Sequence, residues 1–166
     1  MRKIAILSIT FLVSVFVIVT GCSKENPENA ETVQTYLEQE FTGPSDELIN
    51  ALKQNGAYPP ELKTYVEENY KPLVADLDQF VNRNLTLIFL RTAYEYGYQL
   101  EPTNIDIQKI DEIEEEAYNF EVEVEYKKDN QTNTAVVAGI INMNDNGKIS
   151  IVRDMDDGKL LEKMRN

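Results

Sequence analysis

Hydrophobic residues follow two different periods along the chain, one on each side of Gly97. From about Asn29, Val33, Leu37 and Phe41 recur at helical spacing until Gly43-Pro44, a pair that opposes helix continuation. A second short helix is predicted through Leu48, Ile49 and Leu52, with Ser45 as N-cap and Gly56 as C′ residue. Pro59-Pro60 opens a third, through Leu62, Tyr65 and Val66 to about Tyr70. Asp76, with Gln79 three residues on, makes a capping-box start, and Leu77, Phe80, Val81, Leu85, Ile88, Phe89, Ala93 and Tyr96 continue to Gly97. This reads as one long helix with a break point at Asn82-Arg83-Asn84. Leu85, Leu87 and Phe89 also alternate, so a strand over residues 83–92 is the alternative, and the start and stop signals favour the helix.

Beyond Gly97 the period is two. Ile105 and Ile107 point one way, and Pro102 marks an edge or a bend. Tyr118, Phe120, Val122, Val124 and Tyr126 alternate with Asn119, Glu121, Glu123, Glu125 and Lys127, which predicts one buried face and one wet face. Thr134 to Met143 is apolar on both faces and suits a central strand. Asn146-Gly147 is a tight-hairpin signal leading into Ile149, Ile151 and Val152, and Lys159 to Arg165 can add a last helical turn. Helices first and an antiparallel meander second predict an α+β fold, with N-terminal helices packed on one face of a C-terminal antiparallel sheet of about four strands.

Ahead of this domain lies a different pattern. Arg2 and Lys3 precede an uncharged run of 17 residues, Ile4 to Thr20, which closes in Val19-Thr20-Gly21-Cys22. Basic, then apolar, then small is the order of an export signal, and the run falls short of the roughly 20 apolar residues that span a bilayer. The last four residues resemble the lipobox of bacterial lipoproteins, although Val19 and Thr20 depart mildly from its commonest residues. The resemblance implies cleavage between Gly21 and Cys22, a diacylglyceryl group on Cys22, and anchoring to the outer face of the bacterial cell membrane. Two acyl chains suffice for stable attachment where one is marginal. An uncleaved membrane anchor with an incidental cysteine is the alternative. The expected organisation is a signal peptide over residues 1–21, the lipidated Cys22 and a tether over 22–30, and one α+β domain over 31–166. Ser23 to Ala30, fully extended, would reach at most about 29 Å.

Composition narrows the function. The 166 residues carry 16 Lys and Arg against 29 Asp and Glu, a net charge of −13, which becomes −15 over 145 residues once residues 1–21 and their two cations are removed. Such a charge disfavours nucleic acid and anionic headgroups as partners. With no His, no Trp and one Cys, the chain has no His-dependent triad, no His/Cys zinc site and no disulfide within it.

Phe41-Thr42-Gly43-Pro44 after an amphipathic helix, Thr92 to Leu100 before the first strand, Tyr118-Asn119-Phe120, and Asn146-Gly147-Lys148-Ile149 together resemble a group of small lipoproteins from Bacillus-type Gram-positive bacteria. The likeness covers nearly the whole mature chain. It implies a cystatin-like or NTF2-like fold and, because its motifs are structural punctuation, brings no catalytic residue with it.

Four constellations invite a chemical reading. Asn142 to Ile149 imitates the first half of an EF-hand loop, but position one is uncharged and position twelve is Arg153 where a bidentate Glu belongs, so a hairpin turn is favoured. Ala135 to Gly139 differs by one residue from the Gln-Val-Val-Ala-Gly loop of cystatin protease inhibitors, yet it sits inside a predicted central strand. Ten acids lie between Glu101 and Glu125, and a solvated charged loop at Asp111-Glu112 and Glu114-Glu115-Glu116 is favoured over a calcium site. Tyrosines 94, 96, 98, 118 and 126 could line a pocket between sheet and helices, as in NTF2-like enzymes that polarise a carbonyl. That chemistry needs an acid kept neutral in an apolar site, and no Asp is flanked on both sides by core positions. Aromatic packing is favoured. The expectation is therefore an anchored, non-catalytic interaction or accessory domain with a protein or peptide partner, no cofactor and no metal, and the alternative is an NTF2-like pocket for a small molecule.

Overall fold

The computed structural model describes residues 27–82, 86–111 and 115–166. The export signal, Gly21 and Cys22 lie outside these residues. Six helices and four strands follow in order among the described residues: α1 (Pro27–Phe41), α2 (Asp46–Leu52), α3 (Pro60–Tyr70), α4 (Leu77–Asn82), α5 (Ile88–Tyr96), β1 (Gln99–Ile110), β2 (Ala117–Lys128), β3 (Gln131–Met143), β4 (Ile149–Asp156) and α6 (Leu160–Arg165).

Helix α1 begins earlier than the apolar spacing indicates. Proline's fixed φ suits a first helical turn, and Pro27 to Ala30, expected within the tether, form that turn. These four residues extend the chain by about 6 Å instead of about 14 Å. Ser45 caps α2 as expected, its hydroxyl accepting from the Leu48 N–H at 3.2 Å, while Gly56 lies three residues beyond the C-cap Lys53 and is not the C′ residue. Asp76 likewise accepts from the Gln79 N–H at 2.9 Å. The helix it starts ends at Asn82, where the expected break point begins, and does not run on to Gly97. Leu87 takes a left-handed conformation with φ of 66°, which ends helical continuity ahead of α5, and Leu87 to Tyr96 is not strand. A non-glycine residue there costs about 1–2 kcal/mol, which burial of the Leu87 side chain helps to offset.

The strands form one antiparallel meander in the order β1-β2-β3-β4. Its two outer strands carry irregularities, a register shift between Pro102 and Asn104 in β1 and others where β4 pairs with β3. Alternation in β2 is as the sequence predicts: Phe120, Val122 and Val124 are buried and Glu121 and Glu123 are exposed. The helices lie on that buried face, where Val33, Leu37, Phe41, Leu90 and Ala93 join Val122, Val137 and Ile141 in a continuous core. The rings of Phe41 and Phe89 stand 4.9 Å apart within it. Two short ties close the domain, Gly43 exchanging backbone hydrogen bonds with Leu100 of β1, and the 73–75 segment pairing with Ile149 of β4.

Candidate functional site

Among the described residues every helix lies on one side of the sheet, and the other face is open. Strand β3 is central, as expected, but its outward side is not buried: Val136 is 46% exposed, and Ala138 and Ile140 are half-buried. Each of these apolar residues faces a polar one across the ladder. Val136 pairs with Glu123, Ala138 with Glu121 and Ile140 with Asn119, so an apolar column runs beside an acidic one. On the far side of β2, Asp106 sits directly opposite Glu121, a like-charge arrangement that costs a few tenths of a kcal/mol or more. Glu101 and Glu125 are opposed in the same way, but Lys127 bridges both, at 2.6 and 2.9 Å, and these hydrogen bonds push its own pKa up to about 12. Among the described residues Asp106 and Glu121 have no such cation, and Asp106 accepts only from the Gln108 amide at 3.1 Å. A hollow of about 380 Å³ lies over this region, lined by Asp106, Gln108, Asn119, Glu121, Ala138 and Ile140, among others. The Ala135–Gly139 segment lies within β3 and is not an exposed loop.

The two acidic stretches meet at one end of the sheet, where Glu115 is exposed, as expected of a solvated loop, and Glu116 is half-buried. Glu115 accepts from the Asn142 amide at 3.1 Å, and Glu116 accepts from Asn29 at 2.8 Å, from the Tyr118 hydroxyl at 2.6 Å and from Lys109 at 3.2 Å. Burial works against the Glu116 charge, yet these partners outweigh it and hold the carboxyl below its usual range. Glu115 and Glu116 are thus structural ties between α1, β2 and β3. Residues 112–114 lie outside the described residues. Asn144 is also committed, accepting from the Asn146 and Lys148 N–H groups at 3.0 Å each within the turn.

The five tyrosines do not converge on one pocket. The rings of Tyr98 and Tyr126 meet at a tilt, 5.8 Å apart, with the Lys128 ammonium 5.1 Å from the Tyr98 ring, and Tyr118 donates to Glu116. A cavity of about 650 Å³ lies instead among the helices, bordered by Tyr58, Val66, Thr86, Leu87, Arg91 and Thr92, and no strand residue lines it.

An acid held neutral by its surroundings does exist, at a position the sequence reading passed over. Glu40 of α1 is 3% exposed, and burial pushes its pKa up to about 8, with the Tyr70 hydroxyl and the Leu87 N–H offsetting only part of the effect. Tyr70 lies close enough to bear on the Glu40 charge, yet neither Glu40 Oε1 nor the Tyr70 hydroxyl has a partner in hydrogen-bonding geometry among the described residues. The signal was available, because Glu40 falls seven residues after Val33 and three after Leu37, on the buried stripe of the helix. Glu40 borders neither the helical cavity nor the outer-face hollow.

No grouping of three or more acidic, His or Cys side chains able to hold a metal occurs among the described residues. No helix among them is long and apolar enough to cross a membrane. Comparison with protein-family models, curated proteins and solved structures found no match to this chain.

Proposed function

We propose that this protein is a lipid-anchored domain on the outer face of a bacterial cell membrane that acts without catalysis, as an interaction or accessory module for a protein partner. The observation that carries the reading is the outer face of the sheet, uncovered among the described residues, where the exposed Val136 and the half-buried Ala138 and Ile140 stand beside acids that have no ion pair among those residues. Anchoring rests on the basic-apolar-small order that ends at Cys22, the sole cysteine. With the helix starting at Pro27, few residues separate Cys22 from the folded domain, so any partner is met close to the bilayer.

Acyl labelling combined with crosslinking of intact membranes tests the reading. Wild-type protein is expected to take up palmitate and to be recovered with a specific membrane or surface protein. Cys22→Ala should lose the label, remain as the larger precursor and lose that partner. Unchanged labelling and size in the variant would sink the anchoring, and an unchanged absence of adducts in wild type would sink the interaction role.

A second reading, binding of a small molecule, is favoured by the cavity around Thr86 and Arg91, where the buried Thr86 hydroxyl has no hydrogen-bond partner among the described residues. Native mass spectrometry of protein extracted from its own membrane separates the two. A retained small molecule released by Arg91→Gln would transfer the function to the helical cavity.

A further inference from the structure

We propose that the outer face of the sheet is the docking site for a basic amphipathic helix of the partner protein, its apolar stripe on Val136, Ala138 and Ile140 and its cationic flank on Glu121, Glu123 and Asp106. This rests on the interaction reading above and adds the chemistry of the partner.

The pattern of the face comes first. Along β2 and β3 the outward residues repeat every second position, about 6.8 Å, and the two columns stand about 4.8 Å apart. Glu121 faces Ala138 and Glu123 faces Val136 in the ladder, so apolar and acidic surface run side by side over the same length. Val136 is 46% exposed whereas its inward neighbour Val137 is fully buried, so the exposure belongs to the face and not to a frayed strand. A helix about 10 Å wide covers both columns at once.

Charge then selects the partner. No ion pair to Asp106, Glu121 or Glu123 is present among the described residues. Arg153, opposite Ile140, is committed to Asp154 at 2.6 Å and to Asn142 at 3.1 Å. Three carboxylates on a mature chain whose net charge goes from −13 to −15 with the loss of two cations attract Lys and Arg and repel anionic lipid. A second copy docking by the same face would set acid against acid across a two-fold axis.

Backbone chemistry favours a helix over a strand. A strand laid flat on the face would leave its own N–H and C=O groups unpaired, whereas a helix satisfies them internally. Adding a strand at an edge meets the irregularity at Pro102 on one side and, on the other, the bulged β4 with its start already paired to residues 73–75.

The test uses the full lipidated chain in zwitterionic nanodiscs, with empty nanodiscs as reference. The probe is a fluorescent Leu/Lys peptide of about five helical turns with all Leu on one stripe. Saturable binding is expected, weakened about tenfold or more in Glu121→Gln/Glu123→Gln and at least about threefold in Val136→Ser. Glu61→Gln/Glu68→Gln, an equal change of charge on the exposed side of α3, should stay within about twofold. A peptide of the same composition with Leu and Lys shuffled should bind at least about tenfold more weakly. Equal weakening in both double variants, equal binding of the shuffled peptide, absence of saturable binding, or self-association of the chain through Val136 would each overturn the proposal. Crosslinking from Val136 in native membranes separates this failure from failure of the interaction reading. Adducts with a protein that lacks a basic amphipathic segment would end the helix proposal and leave the interaction role standing.

Discussion

The Arg153 guanidinium donates through Nε to Asn142 Oδ1 at 3.1 Å, joining the first and twelfth positions of the stretch that imitates a calcium loop. A cation thus takes the oxygen that would face an ion at the first position, and the turn's own N–H groups take the Asn144 side-chain oxygen. Calcium titration of the lipid-free domain in physiological salt should show no saturable site tighter than about a millimolar, the weak end for extracellular modules. A one-to-one isotherm in the micromolar range would show that the hairpin opens to bind metal.

Val122 and Glu123 are neighbours on opposite faces of β2, the first fully buried and the second exposed. Val122→Ala should cost about 2–4 kcal/mol, as truncations of buried aliphatics do, and Glu123→Ala should remain within roughly half a kcal/mol. Urea unfolding gives both numbers, and the reverse order would place the strand one residue out of register.

Glu40 makes stability depend on pH. Its carboxyl pKa rises from an ordinary 4.5 to about 8 in the folded protein. Between these values the folded state holds a proton that the unfolded chain has released. Stability therefore falls as pH rises through the window, by at most about 1.4 kcal/mol per pH unit, and levels off above it. Glu40→Gln should remove this component and exceed wild type by a few kcal/mol at about pH 9, with little difference below about pH 4. Parallel stability curves for the two proteins would mean that the carboxylate finds solvent or a partner when it ionises.

The turn after β4 crosses close to β3. A Cβ on Gly158, where φ is +54°, would run into the Val136 carbonyl oxygen, whereas Gly97, at φ +77°, has open space around it. Gly158→Ala should cost about 2–4 kcal/mol by adding overlap to backbone strain, against about 1–2 kcal/mol for Gly97→Ala from strain alone. Equal losses would show that the turn can move away from the strand.

Much of this architecture is legible in the sequence because periodicity is a local signal. The switch from helical to alternating spacing at Gly97, the caps at Ser45 and Asp76, and the facing of Val122 and Glu123 all follow from residues within a few positions of each other. What escaped depends on neighbours distant in the chain. The left-handed turn at Leu87 is supported by burial, and the engagement of Glu116 by Asn29 spans 87 positions. The openness of the outer face could not be inferred from β3, since an apolar strand reads alike whether one or both of its faces are covered. Glu40 was legible as well, since the helical stripe through Val33 and Leu37 places this Glu among core residues.

The outer face is most directly tested by residue-specific photocrosslinking in intact membranes, with the reactive group placed in turn at Val136 on the sheet and at Glu68 on α3. The account predicts a discrete adduct from position 136, reduced by Glu121→Gln/Glu123→Gln, and none from position 68. Adducts from position 68 alone, or from both positions equally, would contradict it.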